Sequence, residues 1–258
     1  MKIYVIQLAV ACLCIYFGEV ELIGVDKTRH VDDNEFQFFA SLITIAPKYR
    51  IFCSGTIITG IQVLTTAGCI DKYPVEDSWV FAGSTEFTDT QKYQIEKWIK
   101  YSTWAGIRKR ARDSGDPDIG IVKLKKRMYF GTSMTLALMP LEPRPLPTNK
   151  LEVSLIGWPD SLANNKMDLV TRKVTISRDE CLKYTHEPIR TLVGDRKLFC
   201  TSPGVQMSKH DEGGPVIFRR NVLVGINYWR SISNKRPKVS VHIDLSHFKD
   251  FIDDITSS

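Results

Sequence analysis

Residues 200–229 read CTSPGVQMSKHDEGGPVIFRRNVLVGINYW. Two adjacent glycines, Gly213 and Gly214, mark a turn, and the short apolar runs VIF (216–218) and VLVGI (222–226) follow it. β-Branched residues dominate both runs, and the polar residues RRN separate them. This stretch therefore predicts a turn followed by two consecutive buried strands.

Short strands separated by turn signals are predicted along the whole chain. Apolar runs fall at residues 36–45, 51–58, 62–66, 79–83, 118–124, 151–158, 170–176, 216–218, 222–226 and 239–243. Only the ending, residues 245–255, has helical spacing. The pattern is typical of an all-β domain, a barrel or a sandwich, with one C-terminal α-helix. Because no short-period repeat or low-complexity linker occurs, we expect one compact two-lobed unit over residues 19–258.

Residues 1–18 have the features of a secretory signal peptide. Met1 and Lys2 precede an apolar run at 3–17 that only Gln7 interrupts and that is too short to span a bilayer comfortably. We expect cleavage near Gly18 and a secreted, extracellular protein. The loss of one lysine and no acidic residue lowers the formal net charge from +6 to +5.

The cysteine content fits an oxidising compartment. Two of the six cysteines lie in the leader and four lie beyond it: Cys12, Cys14, Cys53, Cys69, Cys181 and Cys200. Four cysteines in a secreted chain predict two disulfides, and the spacing alone leaves three pairings open.

Two basic runs lie close together in the sequence. Their members are Arg108, Lys109, Arg110, Arg112, Lys123, Lys125, Lys126 and Arg127. They predict a positive patch that suits a glycosaminoglycan or an acidic protein, and the alternative is a solvated surface that nearby aspartates partly neutralise. The run at 108–112 is also a candidate cleavage site for a basic-specific protease. Nucleic acid is not expected, because no aromatic residues are interleaved as in single-strand binders.

Several of these runs resemble, in the correct order, the segments that characterise chymotrypsin-fold (trypsin-like) serine proteases. DEGGP with VGINYW is similar to that family's G-D-S-G-G-P and V-G-I-x-S-W. CSGTII with VLTTAGC (53–69) resembles C-G-G-x-L-I and V-L-T-A-A-H-C, and DIGIVKL (118–124) resembles D-I-A-L-L-K-L. The resemblance implies two six-stranded antiparallel β-barrels with a C-terminal α-helix. It also implies the disulfide pairings Cys53–Cys69 and Cys181–Cys200.

The same resemblance shows which chemical groups have changed. The family's histidine base falls at Gly68, its orienting acid at Asp118 and its serine nucleophile at Glu212, while His210 replaces a glycine of the oxyanion hole. Gly68 has no side chain to accept a proton. A carboxylate at 212 has no proton to give up and adds charge where the reaction builds up another. The resemblance therefore implies a catalytically inactive serine protease homologue of the kind found in invertebrates.

Other positions depart from the family in the same direction. Gln206 stands near the floor of the specificity pocket, and the bulky Tyr228 and Arg230 flank Trp229. The activation junction falls at residues 24–25, where the required Arg or Lys is missing. Asp211, which in the family meets the freed amino terminus, is therefore expected to pair with another basic group or to stay in a zymogen-like loop.

We expect a non-catalytic secreted protein that binds a protease or a protease substrate, as a cofactor, decoy or regulator in an extracellular proteolytic cascade. No cofactor, metal or membrane partner is expected after removal of the leader. Two alternatives stay open: a glycosaminoglycan-binding protein that uses the patch at 108–127, and an active serine endopeptidase. A histidine beside a Ser or Thr hydroxyl, backed by a carboxylate and facing an open cleft, would contradict the non-catalytic interpretation.

Overall fold

The computed structural model describes residues 28–45, 48–83, 91–111, 117–131, 134–139, 149–158, 169–202, 207–219, 221–230 and 239–257. The leader at 1–18, the junction at 24–25, Arg112 and Gln206 lie outside these ranges, as does the side chain of Arg230.

The described residues are mostly in β-strands. The strands are β1 (Thr28–His30), β2 (Phe39–Thr44), β3 (Arg50–Thr59), β4 (Gln62–Thr66), β5 (Ser78–Ala82), β6 (Lys92–Lys100), β7 (Ile119–Leu124), β8 (Asn149–Gly157), β9 (Val170–Ser177), β10 (Leu198–Cys200), β11 (Pro215–Phe218), β12 (Val222–Arg230) and β13 (Ser240–Asp244). The helices are α1 (Ala67–Ile70), α2 (Tyr101–Ile107), α3 (Arg178–Tyr184), α4 (Ile189–Gly194), a 3₁₀ helix (Leu245–Phe248) and α5 (Lys249–Thr256).

The first lobe is a closed antiparallel barrel of six strands in the order β2-β3-β4-β7-β6-β5. Strand β2 is buried along its whole length, and β3 is buried from Ile51 to Ile58. Their β-branched and aromatic side chains fit the pleated surface of a barrel wall and remove apolar area from water. The barrel therefore forms where the sequence has its densest apolar runs.

The second lobe is a curled sheet in the order β1-β9-β8-β11-β12-β13-β10. An isolated bridge between Ile176, in β9, and Thr201, which follows β10, brings the two sides of this sheet together. Six strands thus curl into a partial barrel, and β1 adds a seventh strand to its outer edge. The predicted trypsin-like all-β fold with a C-terminal helix is confirmed.

The prediction that only the chain ending is helical is wrong. Helices α1 to α4 also form, and strands β1, β6 and β10 were not predicted. Strand β6 (KYQIEKWIK) was missed because Ile95 is its only fully buried residue, so charged residues hide the alternation. Helix α3 has a readable signal: Ser177 accepts a hydrogen bond from the Glu180 N–H (3.3 Å), as in a capping box.

Side chains from both lobes meet at Trp158, which follows β8. The Trp158 indole N–H donates to Ser41 Oγ in β2 (2.9 Å), and its ring contacts the Phe39 ring edge-on at 5.9 Å. Ser54 in β3 also contacts the turn at 208–214: its N–H donates to the Glu212 carbonyl and its hydroxyl to the His210 carbonyl, both at 2.8 Å. The turn is therefore fixed against the first barrel.

Two disulfides restrain the described chain. Cys53–Cys69 joins β3 to α1, and Cys181–Cys200 joins α3 to β10. These are the pairings that the family resemblance implies. Each closes a short loop, so each is expected to stabilise the fold by about 2–4 kcal/mol.

Candidate functional site

The centre of the site is the turn at 208–214, and its buried anchor is the Asp211 carboxylate. The backbone N–H groups of Trp158 and Ser208 each donate to it at 2.8 Å. The Arg172 guanidinium, on β9, lies 3.5 Å from Asp211 Oδ2, and the two side chains are 14% and 3% exposed. Asp211 therefore pairs with a basic group from within the fold, which is one of the two outcomes expected for it.

The carboxylate lies so close to β8 that position 157 has no room for a side chain. A Cβ atom at Gly157 would overlap both oxygens and the carbon of the Asp211 carboxyl group. Gly213, two residues after Asp211, has a φ of +81°, a conformation that favours glycine. The turn at 208–214 thus depends on Gly157 in β8 for space and on its own Gly213 for backbone conformation.

Next to the buried Asp211, the Glu212 side chain reaches across to the first lobe, and we refer to the partly exposed surface where it meets Thr66 and Lys72 as the groove. Its Oε2 lies 2.6 Å from Lys72 Nζ, and its Oε1 accepts a hydrogen bond from the Thr66 hydroxyl (3.1 Å). The same hydroxyl caps helix α1 by accepting from the Cys69 N–H (3.2 Å). Glu212 is therefore held by groups from β4 and from the residues after α1.

The Glu212 carboxylate takes up the space in front of position 68. A Cβ atom at Gly68 would lie 3.0 Å from Glu212 Oε1, a tight contact. A side chain at 68 and the observed conformation of Glu212 therefore compete for the same volume. In the place of a base and a hydroxyl, the groove contains a carboxylate paired with an ammonium.

Asp118 is retained, and its carboxylate contacts the protein backbone. Its Oδ1 accepts a hydrogen bond from the Ser102 N–H at the start of α2 (3.0 Å). Tyr228 lies near both acidic groups: burial raises the pKa of its hydroxyl, and the negative charges of Glu212 and Asp118 raise it further. The large phenol ring thus remains neutral beside the two carboxylates.

The backbone at His210 does not present a free donor to the groove. Its N–H donates to Ser208 Oγ (3.1 Å), inside the same turn. An oxyanion hole needs donors aimed at the position where negative charge develops. One of its two expected donors is therefore engaged elsewhere.

The described residues contain one group of potential metal ligands in the site. The sulfur atoms of Cys53 and Cys69 lie within 4.8 Å of each other and of a Glu212 carboxylate oxygen. Both sulfurs are joined in a disulfide, and metal ions bind the thiolate form of cysteine. Lys72 Nζ, 3.1 Å from Cys53 Sγ, adds a positive charge at the same place. This group does not fit a cation.

A histidine does lie beside a threonine hydroxyl elsewhere in the fold. His242 Nε2 is 3.3 Å from Thr201 Oγ1, and its Nδ1 is 2.9 Å from Asn227 Oδ1. All three residues are fully buried, and an amide stands where a triad would have a carboxylate. Burial lowers the pKa of His242 to about 3, so the ring is neutral at physiological pH. The arrangement has neither the carboxylate nor the open cleft that the catalytic interpretation requires.

The two basic runs differ in their surroundings. Arg108 pairs with Asp254 (2.7 Å) and Arg110 with Asp250 (2.9 Å), both on helix α5. Lys123 lies 3.8 Å from Glu96 on β6.

Four other members of the runs, Lys109, Lys125, Lys126 and Arg127, have no such neighbour among the described residues. Lys109 is exposed, with a φ of +53°. Lys125, Lys126 and Arg127 are exposed, and none of the described carboxylates lies within ion-pair distance of them. Two arginines of the first run are therefore paired with carboxylates, whereas Lys125, Lys126 and Arg127 of the second run have no carboxylate partner among the described residues.

The sequence does not reveal which residues hold the Asp211 and Glu212 side chains of the turn. Lys72 and Thr66 hold Glu212, and Arg172 pairs with Asp211. The motif TTAGC gave a partial signal, because a threonine three residues before the amide of Cys69 is a helix-capping pattern. Nothing in the sequence singled out Lys72 or Arg172 among 35 basic residues.

The closed barrel, the curled second sheet and the buried aspartate of the turn define a protein of the chymotrypsin-fold serine protease class. A family model described as Trypsin matches residues 25–252, and the chain belongs to that family. It is 26% identical over 242 residues to "Venom serine protease" of Polistes dominula, covering 86% of this chain and 82% of the relative. It is also 26% identical over 254 residues to "Venom serine protease 34" of Apis mellifera, covering 90% of this chain. The chain spans 59% of the length of that second relative. None of the helices in the described part is long and apolar enough to cross a bilayer.

Replacing Arg172 by methionine is expected to destabilise the fold by about 3–5 kcal/mol, because it removes the cation that lies 3.5 Å from the buried Asp211 carboxylate. The matched control is Lys173→Met. Lys173 lies at the same distance from a carboxylate, 3.5 Å from Glu152, but both side chains of this pair are more than half exposed. This control should cost at most about 1 kcal/mol. Urea unfolding of both variants measures the difference, and equal losses would contradict a buried pair.

Stability is expected to fall with pH below 6.5 because of His242. The unfolded chain protonates this histidine near pH 6.5, whereas the folded protein does so only near pH 3. Between these two pH values only the unfolded state binds the additional proton. The free energy of unfolding therefore falls by about 1.4 kcal/mol for each unit by which the pH is lowered.

The measurement is the unfolding free energy of the wild type minus that of His242→Gln, from pH 7.5 down to 4.5. The difference removes the titration of other groups that the two proteins share. His186→Gln, at an exposed position, is the matched control. A difference that stays constant over this range would show that His242 titrates alike in both states.

Proposed function

We propose that this chain is a secreted, non-catalytic member of the trypsin family that acts by binding another extracellular protein. Its partner would be a protease or a protease substrate, and its role that of a cofactor, decoy or regulator in a proteolytic cascade. The observation that carries this proposal is the Glu212–Lys72 pair, with Thr66 beside it, in the groove next to Gly68.

The chemical groups in the groove support a non-catalytic role, because acyl transfer needs groups that they do not provide. The covalent route needs a hydroxyl to attack the carbonyl and a base to take the proton from that hydroxyl. Glu212 is an acceptor of hydrogen bonds in its ionised form, and Gly68 provides no base. The engagement of the His210 N–H by Ser208 removes part of the electrostatic support that leaves residual activity in proteases without a triad.

The retained architecture supports a binding role. The turn at 208–214 is fixed to β3 by hydrogen bonds and to β9 by a buried ion pair, so the groove keeps a rigid frame. Glu212 and Lys72 are 26% and 35% exposed and present one charge of each sign to a partner. Preorganised charges of this kind give specificity more than raw affinity.

Secretion is supported by the signal-peptide features of residues 1–18 and by the two disulfides. The two relatives are named as venom proteases, which agrees with an extracellular location.

Glycosaminoglycan binding through one continuous patch at 108–127 has less support. Arg108 and Arg110 are paired with Asp254 and Asp250, so a polyanion would have to displace two carboxylates. This leaves the protein-binding role as the better-supported proposal.

The wild-type protein is expected to give no adduct with a serine-directed fluorophosphonate, because position 212 has no hydroxyl. The triple variant Gly68→His, His210→Gly and Glu212→Ser supplies the base, the oxyanion-hole glycine and the nucleophile beside Asp118. It should be labelled, whereas Glu212→Ser alone should be labelled far less because it has no base. Intact-mass spectrometry measures the adduct, and a stoichiometric adduct on the wild type would overturn the proposal.

Binding is tested with the double variant Lys72→Met with Glu212→Gln, which removes both charges of the groove and leaves the net charge unchanged. Proteins captured on the wild type from its native extracellular fluid are identified by mass spectrometry. We expect the captured partner to bind the double variant at least about tenfold more weakly, since such a loss corresponds to a few desolvated polar contacts. The control is Lys173→Met with Glu152→Gln, a pair outside the groove. Equal weakening by both variants, or by neither, would contradict binding at the groove.

A further inference from the structure

The connection between the two lobes exposes apolar side chains beside basic ones. Tyr129 is 85% exposed and Phe130 is 40% exposed, and the buried Met128 separates them from the exposed basic residues Lys125, Lys126 and Arg127. We refer to residues 125–130 as the connector turn. Leu136 and Leu138, at 41% and 58% exposure, follow in the same connection. Four of the seven large hydrophobic residues exposed in the described part of the chain therefore lie within ten residues of one another.

The backbone of this connection is anchored, so the exposure is not that of a loose loop. The Met128 N–H donates to the Gly60 carbonyl (2.7 Å), and the Ala137 N–H donates to the Ile57 carbonyl (3.1 Å). Both Met128 and Ala137 are buried, at 1% and 6% exposure. The Met128 and Ala137 side chains thus lie in the core, whereas Tyr129 and Phe130 face the solvent.

The charge of the connector turn is not compensated by the described residues. No described carboxylate lies within ion-pair distance of Lys125, Lys126 or Arg127. The Arg127 side chain lies against Gly60, since a Cβ there would be 2.9 Å from its Nε. The two lysines are therefore the cations best placed to contact a partner.

We propose that the connector turn binds reversibly to the surface of an anionic phospholipid membrane, a partner that the sequence alone did not lead us to expect. Lys125 and Lys126 attract the phosphate and carboxylate groups of the lipids, and Tyr129 and Phe130 insert into the interface, where aromatic side chains are favoured. A glycosaminoglycan would be attracted by the same cations, but it offers no apolar phase for the two aromatic rings. The combination of charge with exposed aromatic area favours the lipid surface.

This binding is weak and depends on salt. One turn with two or three cations and two aromatic rings contributes less than a complete amphipathic helix, and charge attraction at a membrane is screened within about 8–10 Å at physiological salt. The turn therefore concentrates the protein at anionic surfaces without anchoring it there. It acts independently of the groove that contains Glu212.

The proposal is tested by sedimentation of the secreted protein with vesicles. One set of vesicles contains phosphatidylcholine alone, and the other contains phosphatidylcholine and phosphatidylserine in a ratio of about two to one. We expect binding to the anionic vesicles only, with a loss of about thirtyfold or more in the partition coefficient for Lys125→Glu with Lys126→Glu. Tyr129→Ser with Phe130→Ser should weaken binding several-fold at unchanged net charge.

The matched control for charge is Lys48→Glu with Lys183→Glu, which makes the same change at two exposed lysines elsewhere. It should bind within about twofold of the wild type if the effect is local to the connector turn. Circular dichroism checks that each variant is folded. Equal binding to neutral vesicles, equal losses in the charge control, or no effect of the aromatic variant would overturn the proposal. Retention on heparin that is unaffected by the aromatic substitutions, together with no vesicle binding, would assign the turn to a polyanion.

Discussion

The structure depends on how one carboxylate is accommodated where the lobes meet. Asp211 is 2% exposed, and a buried charge is costly unless hydrogen bonds and an opposite charge compensate it. Two backbone N–H groups and Arg172 provide that compensation, and glycine at 157 leaves the space for it. Because the Asp211 carboxylate binds both β8 and its own turn, the geometry of residues 208–214 follows from this one buried group. The catalytic groups expected of the family play no part in that geometry.

This separation explains how the fold can persist while the chemistry changes. Asp211 points into the protein and stabilises the turn, whereas Glu212, the next residue, points into the groove. The Glu212–Lys72 pair is partly exposed, and pairs of that kind contribute at most about 1 kcal/mol. Its consequence is therefore chemical rather than energetic: it places a fixed carboxylate and ammonium where a hydroxyl and an imidazole would otherwise meet. Substitutions in the groove therefore change the chemical groups that it presents, while substitutions around Asp211 are expected to act on folding.

The sequence predicts much of this fold because its information is local. Apolar runs bounded by turn residues indicate most strands, and the resemblance of VLTTAGC, DIGIVKL and DEGGP to the family's motifs locates positions 68, 118 and 212. Strand β6 was missed because its charged surface residues obscure the alternation, and helices α1 to α4 were missed because each has at most seven residues, too few to show helical spacing. The partners of the acidic side chains were missed for another reason. Lys72 and Glu212 are 140 residues apart, and only the folded sheet order brings them together.

The state of the charged surface residues also depends on contacts between segments that are far apart in the sequence. The basic runs look equivalent in the sequence, yet helix α5 distinguishes them. Its Asp254 accepts hydrogen bonds from the Trp104 indole N–H (2.6 Å) and from Arg108, so one carboxylate fixes the helix to α2 and neutralises an arginine. These contacts lower the pKa of Asp254 and keep it ionised. No described acidic side chain lies within ion-pair distance of residues 125–127, whereas Arg108 and Arg110 each have a carboxylate partner on this helix. The position of one C-terminal helix thus decides which basic residues remain available to a partner.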